Sequence, residues 1–284
     1  MVYLIAAMTA SRRDRHAGAY PLERTAEEMA RLRMQAAAME TDARILMELI
    51  GVGTGWRCLD LACGVGGIMD ALSRNVGPTG RVVGLDYDPD KLTAAREWAR
   101  MEGLANVEFV EGDAYRTGLS AASFDLVHVR FVFTTAGRDE ELLWEALRLV
   151  RPGGALAVQE ADVVTLDCHP PHPAWDRVKH AITTAMTRLG GDPHAGRRMF
   201  GLLRGAGLQD VRFRPFLAGF TSDDPMADFL PSTAASMRSA IVAAGVLGED
   251  ELDVALEACR RHLADPGTIS TSVLVYQAWG RKLR

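Results

Sequence analysis

The feature that most constrains this chain is the run Cys58-Leu59-Asp60-Leu61-Ala62-Cys63-Gly64-Val65-Gly66-Gly67, set directly after a β-rich stretch and before a helical one. Residues with no Cβ, or a minimal one, let the backbone turn tightly and approach a ligand closely. The helix that follows offers partial positive charge to an anion. The run opens a series in which short β-rich stretches alternate with helical ones. Strands are expected at Arg57–Leu61, Val82–Asp86, Val107–Val110, Phe124–Phe131 and Ala155–Gln159, with helices at Ile68–Val76, Lys91–Glu102 and Glu140–Val150 between them. That alternation is the pattern of a parallel sheet covered by helices on both faces.

The rhythm differs on either side of this stretch. From Tyr20 to Ile50, residues Met29, Leu32, Met39, Ile45, Leu46 and Leu49 recur at helical intervals, and the glycines of Gly51-Val52-Gly53-Thr54-Gly55 stop the pattern. Past Glu160, Pro170–Leu189 and Pro225–Leu263 read as helical, while Val211–Phe220 and Ile269–Trp279 read as strands. These strands suit a closing antiparallel pair with helices inserted before its last member. The chain is therefore expected to divide into a flexible extension at 1–19, an N-terminal helical lid at 20–50 and one α/β domain at 51–284, with a helical cap insertion at about 221–266.

At 284 residues and 48% hydrophobic content the chain can bury a full core. Its 32 basic and 37 acidic residues, a net charge of −5, argue against nucleic acid, which needs a concentrated basic footprint. Arg197-Arg198 and Arg260-Arg261 fall in amphipathic patterns and read as solvated faces. Cys58, Cys63, Cys168 and Cys259 have no framework spacing, which reads as reduced thiols in a cytoplasmic protein. Met1 to Met8 is apolar but short and lacks a preceding basic region, and no apolar run reaches the length of a membrane span.

Three further motifs carry chemistry. In Val82-Val83-Gly84-Leu85-Asp86-Tyr87-Asp88-Pro89, the acid at the end of the second strand can accept both hydroxyl hydrogens of a ribose, and Tyr87 offers a ring beside an adenine. A dinucleotide enzyme wants an acid here too, and a loose dinucleotide fingerprint fits Ala62, Gly64 and Gly67, so both readings stand at this point. Glu111-Gly112-Asp113-Ala114 follows the third strand, where Asp113 can accept from an exocyclic amine. Leu149-Val150-Arg151-Pro152-Gly153-Gly154 forms a turn into the fifth strand.

Asp60 through Gly67, Asp86, Asp113, Phe124-Asp125-Leu126-Val127 and Arg151-Pro152-Gly153-Gly154, in that order over positions 55 to 160, resemble the class I methyltransferases. The resemblance implies an α/β fold with a seven-stranded, mostly parallel, doubly wound sheet whose last strand is antiparallel. S-adenosylmethionine, leaving as S-adenosylhomocysteine, would lie at the carboxyl ends of the central strands. Ala62, Gly64 and Gly66 are then assigned to the methionine portion, Asp86 to the ribose, Asp113 with Ala114 to the adenine, and Arg130 to a place beside the methionine moiety. Ala62 departs from the glycine common at its position by the smallest possible change. Arg130 has a plain alternative as a strand-end cap paired with Asp125. The run Leu126 to Phe133 lacks the Asn-Pro-Pro-Tyr type of sequence seen in enzymes acting on nucleobase amines, which points to a small-molecule acceptor.

Tyr20-Pro21-Leu22, Glu27-Glu28, Arg31-Leu32 and Gln35 resemble a lead-in helix of small-molecule members that covers the cofactor. On that resemblance Gln35 joins the cofactor-binding set and Tyr20 the catalytic candidates; the alternative is an amphipathic helix packed on the sheet edge. Glu160 and Asp162, ending the fifth strand, are candidate bases or substrate anchors, Glu160 foremost, with helix capping or pairing to Arg as the alternative. Asp60 is read as ordering the glycine loop through backbone amides. Cys168-His169-Pro170-Pro171-His172 lacks the ligand set of a tetrahedral zinc site, so no metal is expected. His180, His194 and His262 receive no role. The lid and the inserted helices are expected to close over the site, with Met34, Met39, Phe229, Met237 and Ile241 lining an apolar acceptor pocket. The expected activity is methyl transfer to a small molecule, a secondary metabolite being one such acceptor. The alternatives are a nicotinamide-dependent oxidoreductase and an S-adenosylmethionine-binding protein without methyl transfer. Neither nucleic acid nor membrane is an expected partner, and a homodimer is compatible with the sequence.

Overall fold

The computed structural model describes residues 26–284; residues 1–25, which include Tyr20 and the expected extension, lie outside the described residues. Ten strands and eleven α-helices run along the described chain. The central sheet has seven strands in the order β3 (Val107–Glu111), β2 (Arg81–Asp86), β1 (Arg57–Leu61), β4 (Phe124–Arg130), β5 (Val150–Asp162), β10 (Leu274–Arg281) and β7 (Gln209–Phe216). β3, β2, β1, β4 and β5 pair in parallel, and β10 runs antiparallel to both of its neighbours, β5 and β7. The expected sheet with one antiparallel last strand is thus the observed one.

Alternation along each strand sorts side chains between two faces. On one face Leu59, Leu61, Val83, Leu85, Val127, Val129, Leu156 and Val158 pack with the helices Asp139–Leu149 and Ala195–Gly205. On the other, Cys58, Val82, Leu126, Ala155, Ala157 and Trp279 pack with the helices Glu40–Ile50 and Met69–Val76. Both faces are dry, as a parallel sheet requires.

The N-terminal region is two helices, α1 (Ala26–Ala38) and α2 (Glu40–Ile50), parted at Met39, where a single periodic run suggested one. α2 stops at Gly51, whose φ of 76° closes the last turn in the left-handed region. The stretch expected as one strand over Val211–Phe220 is two, β7 and β8 (Gly219–Thr221). Ile269–Trp279 likewise divides into β9 (Ile269–Thr271) and part of β10. β8 and β9, with the short β6 (Cys168–His169), form a separate three-stranded sheet. Between β7 and β10 also lie the helices Phe229–Ser236, Arg238–Ala243 and Glu249–Leu263. With the helix Pro173–Arg188 they enclose a third core of Trp175, Val178, Ile182, Leu230, Met237, Ile241, Leu252 and Leu256. Met39, at the break between α1 and α2, is buried in this cap core, so the N-terminal helices bridge cap and sheet.

Candidate active site at the carboxyl ends of the central strands

Beyond Leu61 the chain turns through Ala62, Gly64 and Gly66 at φ of 63°, 55° and 95°. A Cβ at such an angle costs about 1–2 kcal/mol, so Ala62 carries a strain that a glycine there would not. The loop is tied to β2 from two sides. Cys63 N donates to Leu85 O at 2.9 Å, and Gly64 N donates to Asp86 Oδ2 at 2.8 Å. Asp86 Oδ1 accepts from Asp88 N at 3.0 Å, and Gly112 N, in the turn after β3, donates to Asp86 O at 2.9 Å. Burial pushes the Asp86 carboxyl up from its ordinary value, against Lys91 and the donated amides. Asp86, and not Asp60, is therefore the residue that orders the glycine loop through backbone amides. Asp60 instead accepts from Nδ1 of the fully buried His128 at 2.7 Å.

Arg130 ends β4 with its guanidinium against the same loop. A Cβ built on Gly67 would fall 1.8 Å from Arg130 Nη2 and 3.5 Å from the Ala36 methyl of α1. Arg130 Nη1 is buried and has no hydrogen-bond partner among the described residues. Burial lowers the Arg130 pKa and the charge of Asp60 raises it, which puts carboxylate and guanidinium within electrostatic reach of each other. The alternative partner, Asp125, is taken: it accepts from Arg57 N at 2.7 Å and pairs with Arg151.

The remaining expected cofactor residues are placed as follows. Asp113 Oδ1 accepts from Tyr115 N at 2.9 Å, leaving Oδ2 without a hydrogen bond among the described residues. Ala114 and Tyr87 are half-buried beside it and beside Asp86 in the chain. Gln35 Oε1 accepts from Arg31 Nη1 at 2.9 Å, and Arg31 forks onto Glu28 at 2.7 and 2.8 Å, so the carbonyl end of Gln35 is engaged on its own helix.

The candidate base Glu160 is corrected by its surroundings. Its carboxylate is fully buried and accepts from Val132 N at 2.6 Å, Phe133 N at 2.9 Å, Thr134 N at 3.2 Å and Thr134 Oγ1. Those amides open the short helix Phe133–Ala136, so Glu160 caps a helix that precedes it in the chain, following the neighbouring strand β4, rather than the next one. Burial pushes its carboxyl up to about 7 against the four donated bonds. Asp162 Oδ2 accepts from Arg197 Nε at 2.7 Å, while its buried Oδ1 has no hydrogen-bond partner among the described residues. The pocket-lining expectation also changes. Met237 and Ile241 are fully buried in the cap's own core, so neither lines a cleft, and Met34 is exposed. His172 accepts from Ala174 N at 3.2 Å and stacks on His262 with ring centroids 4.6 Å apart, a helix cap without metal geometry. Among the described residues no group of three or more His, Cys, Asp or Glu could hold a metal ion, and no helix is long and apolar enough to cross a membrane.

The strand order, with a glycine loop after β1 and an acid ending β2, defines the class I, Rossmann-like methyltransferase architecture. Residues 53–192 match the family described as "Methyltransferase domain". The chain is 38% identical over 118 residues to the ubiquinone/menaquinone biosynthesis C-methyltransferase UbiE of Pseudomonas fluorescens, covering 41% of this chain and 46% of that protein. It is 34% identical over 120 residues to the demethylmenaquinone methyltransferase of Lactococcus lactis, covering 42% and 48%. The chain thus spans about half the length of the curated relatives it matches. In fold it is similar to a SAM-dependent methyltransferase from Aquifex aeolicus, with a TM-score of 0.52 at 15% identity, over 90% of this chain and 98% of that one. It is also similar to a Haemonchus contortus phosphoethanolamine N-methyltransferase in complex with S-adenosyl-L-methionine, with a TM-score of 0.53 at 16% identity, over 86% and 53%. Residues 53–192 thus match a methyltransferase domain family, and the chain has the Rossmann-like fold of S-adenosylmethionine-dependent methyltransferases.

Proposed function

We propose that this protein transfers a methyl group from S-adenosylmethionine to a small-molecule acceptor. The observation that carries the reading is the pair Asp60 and Arg130 beside the glycine loop. An amino acid end presents one ammonium and one carboxylate. Asp60 has an oxygen without a hydrogen bond among the described residues, and Arg130 has a buried N–H in the same condition. A carboxylate and a guanidinium at one loop suit that zwitterion, and a nicotinamide dinucleotide has no such group to offer them. Asp86 would take the ribose and Asp113 the adenine amine, with Gly64 and Gly66 leaving room for the chain between them.

S-adenosylmethionine supplies a sulfonium methyl that carries its own leaving group. What remains to the protein is alignment of the acceptor, which is worth up to about 7–11 kcal/mol, and exclusion of water. Glu160 is committed to structural bonds and Asp162 pairs with Arg197 through Oδ2, so neither is assigned as a base. The activity for which the curated relatives are named, methylation at carbon in ubiquinone and menaquinone biosynthesis, supports an aromatic acceptor. The cap, which lies outside the matched residues 53–192 beyond its first helix, would set its identity.

The test is transfer of labelled methyl from S-adenosylmethionine to a panel of quinol-like phenols, amines and carbon acids. Label in a phenol or its ring carbon supports the reading, and no transfer to any member of the panel counts against it. A second reading has one observation in its favour: the fold also resembles a [4+2]-cyclase, with a TM-score of 0.50 at 18% identity, over 87% of this chain and 82% of that one. S-adenosylhomocysteine bound tightly, with no methyl transferred, would favour it.

A further inference from the structure

One row of the sheet breaks the apolar pattern of its face. Below it lie Cys58, Leu126, Ala157 and Trp279, and above it Ala161 and Val275. Between them His128, Gln159 and Gln277 are fully buried, joined in a chain of hydrogen bonds that crosses five strands and ends on a helix. Arg214 Nη1 of β7 donates to Gln277 Oε1 of β10 at 2.9 Å, and Gln277 Nε2 donates to Gln159 Oε1 of β5 at 2.9 Å. Gln159 Nε2 lies 2.8 Å from His128 Nε2 of β4, and His128 Nδ1 lies 2.7 Å from Asp60 Oδ1 of β1. At the far end Arg214 Nη2 donates to Asp42 Oδ1 of α2 at 2.5 Å, and Gln277 Nε2 donates to Asp42 O at 3.0 Å.

The direction of this chain is uniform. A guanidinium can only donate, so Gln277 accepts on its oxygen and donates on its nitrogen, and Gln159 does the same. His128 must then accept on Nε2, which fixes its proton on Nδ1, where it faces Asp60. From Arg214 Nη1 through Gln277 and Gln159 to His128 Nδ1, each link runs toward Asp60, while Arg214 Nη2 and a second bond of Gln277 Nε2 run to Asp42. A row of apolar side chains would serve the fold as well, since replacing satisfied buried polar groups by well-packed apolar ones is often neutral or stabilising. The row's terminus is Asp60, two residues before the glycine loop.

We propose that His128, Gln159, Gln277 and Arg214 are positioning residues for Asp60, holding its carboxylate oriented for the ammonium of the cofactor's amino acid end. The inference rests on the functional reading above. Anchored on Asp42, the row also joins the seating of the N-terminal helices, whose Ala36 meets Gly67, to the set of Asp60. A row of this kind acts on one end of the ligand only, which separates it from a packing role.

The test uses the full chain and two ligands, S-adenosylhomocysteine and 5′-methylthioadenosine, which lacks the amino acid end. Arg214 is partly exposed on an edge strand, so its replacement leaves the buried row in place while removing its source charge. Arg214→Leu should weaken S-adenosylhomocysteine by about three- to tenfold, the scale of one ordinary hydrogen bond, and leave methylthioadenosine unchanged. Arg214→Lys, which keeps a donor, should restore most of the loss. In a spectrum of ¹⁵N-labelled histidine, the His128 signals should shift in the Leu variant and return in the Lys variant. Equal weakening of both ligands, or no weakening of either, would overturn the proposal. A parent chain that binds neither nucleoside would defeat the functional reading itself, a result distinct from either.

Discussion

Asp86 carries a backbone amide on each oxygen, from Gly64 and Asp88, and so shapes the loop it would share with a ribose. Asp86→Ala should therefore weaken S-adenosylhomocysteine by about 1.5–3 kcal/mol, the range for losing hydrogen bonds to a charged group. Calorimetry on the folded variant checks it, and unchanged affinity would contradict the ribose assignment. Gly67→Ala tests Arg130 without touching it, because the new methyl would occupy the place of Nη2. The guanidinium is the far end of a flexible side chain, so the fold should survive while affinity falls as far as in Arg130→Met. Glu160 gives a prediction in pH. Its folded pKa, raised to about 7 from 4.5, means that its contribution to stability is full below 4.5 and is lost as pH rises through about 7. Melting temperatures of Glu160→Gln should be flatter over that window than the parent's, and a parallel pair of curves would contradict it. At this scale glycines and strand-end acids were legible because their positions alone encode a close approach and a ligand-facing carboxylate. The His128 row was not, since its links join residues as far apart as Gln277 and Asp42, 235 positions along the chain.

The helices around the sheet divide by what they bury. α2 sets Leu46 and Met47, both fully buried, into the core beneath the sheet, whereas α1 turns a polar face of Glu28, Arg31 and Gln35 inward. Removing residues 1–38 should leave a folded core, because α2 keeps its contacts, while methyl transfer falls with the loss of Ala36 over Gly67. Circular dichroism melts together with the labelled-methyl assay check this, and transfer at the parent's rate would make α1 mere packing. Leu46→Ala, in contrast, should cost about 2–5 kcal/mol of stability through the cavity it leaves. Periodicity made the β–α alternation legible from Arg57 to Gln159, where each element is amphipathic or wholly apolar. It read Arg197-Arg198 as a solvated helix face but set no bounds for the helix Ala195–Gly205, whose Gly196, Gly201 and Gly205 lower its propensity. Gly196 is required there by packing, since a Cβ would lie 2.7 Å from Glu160 O. Tertiary approach outweighs local preference at that position.

Across the whole molecule, three cores stack from the sheet's two faces to the cap, and the polar row lies where the second meets the third. The order of the sheet places the glycine loop, Asp86 and Arg130 at one end of adjacent strands, the end where ligands of open α/β sheets bind. Beyond the matched residues 53–192 the described chain ends in inserted helices and closing strands, the part to which the proposal assigns the acceptor's identity. It was also the part least legible in the sequence, because inserted helices that bury one another carry no motif tied to a ligand. The central claim concerns the donor, and calorimetric titration of the full chain with S-adenosylhomocysteine, and separately with NADH, tests it most directly. The account predicts saturable binding of one S-adenosylhomocysteine per chain and no heat from NADH. Saturable binding of NADH with none of S-adenosylhomocysteine would contradict it.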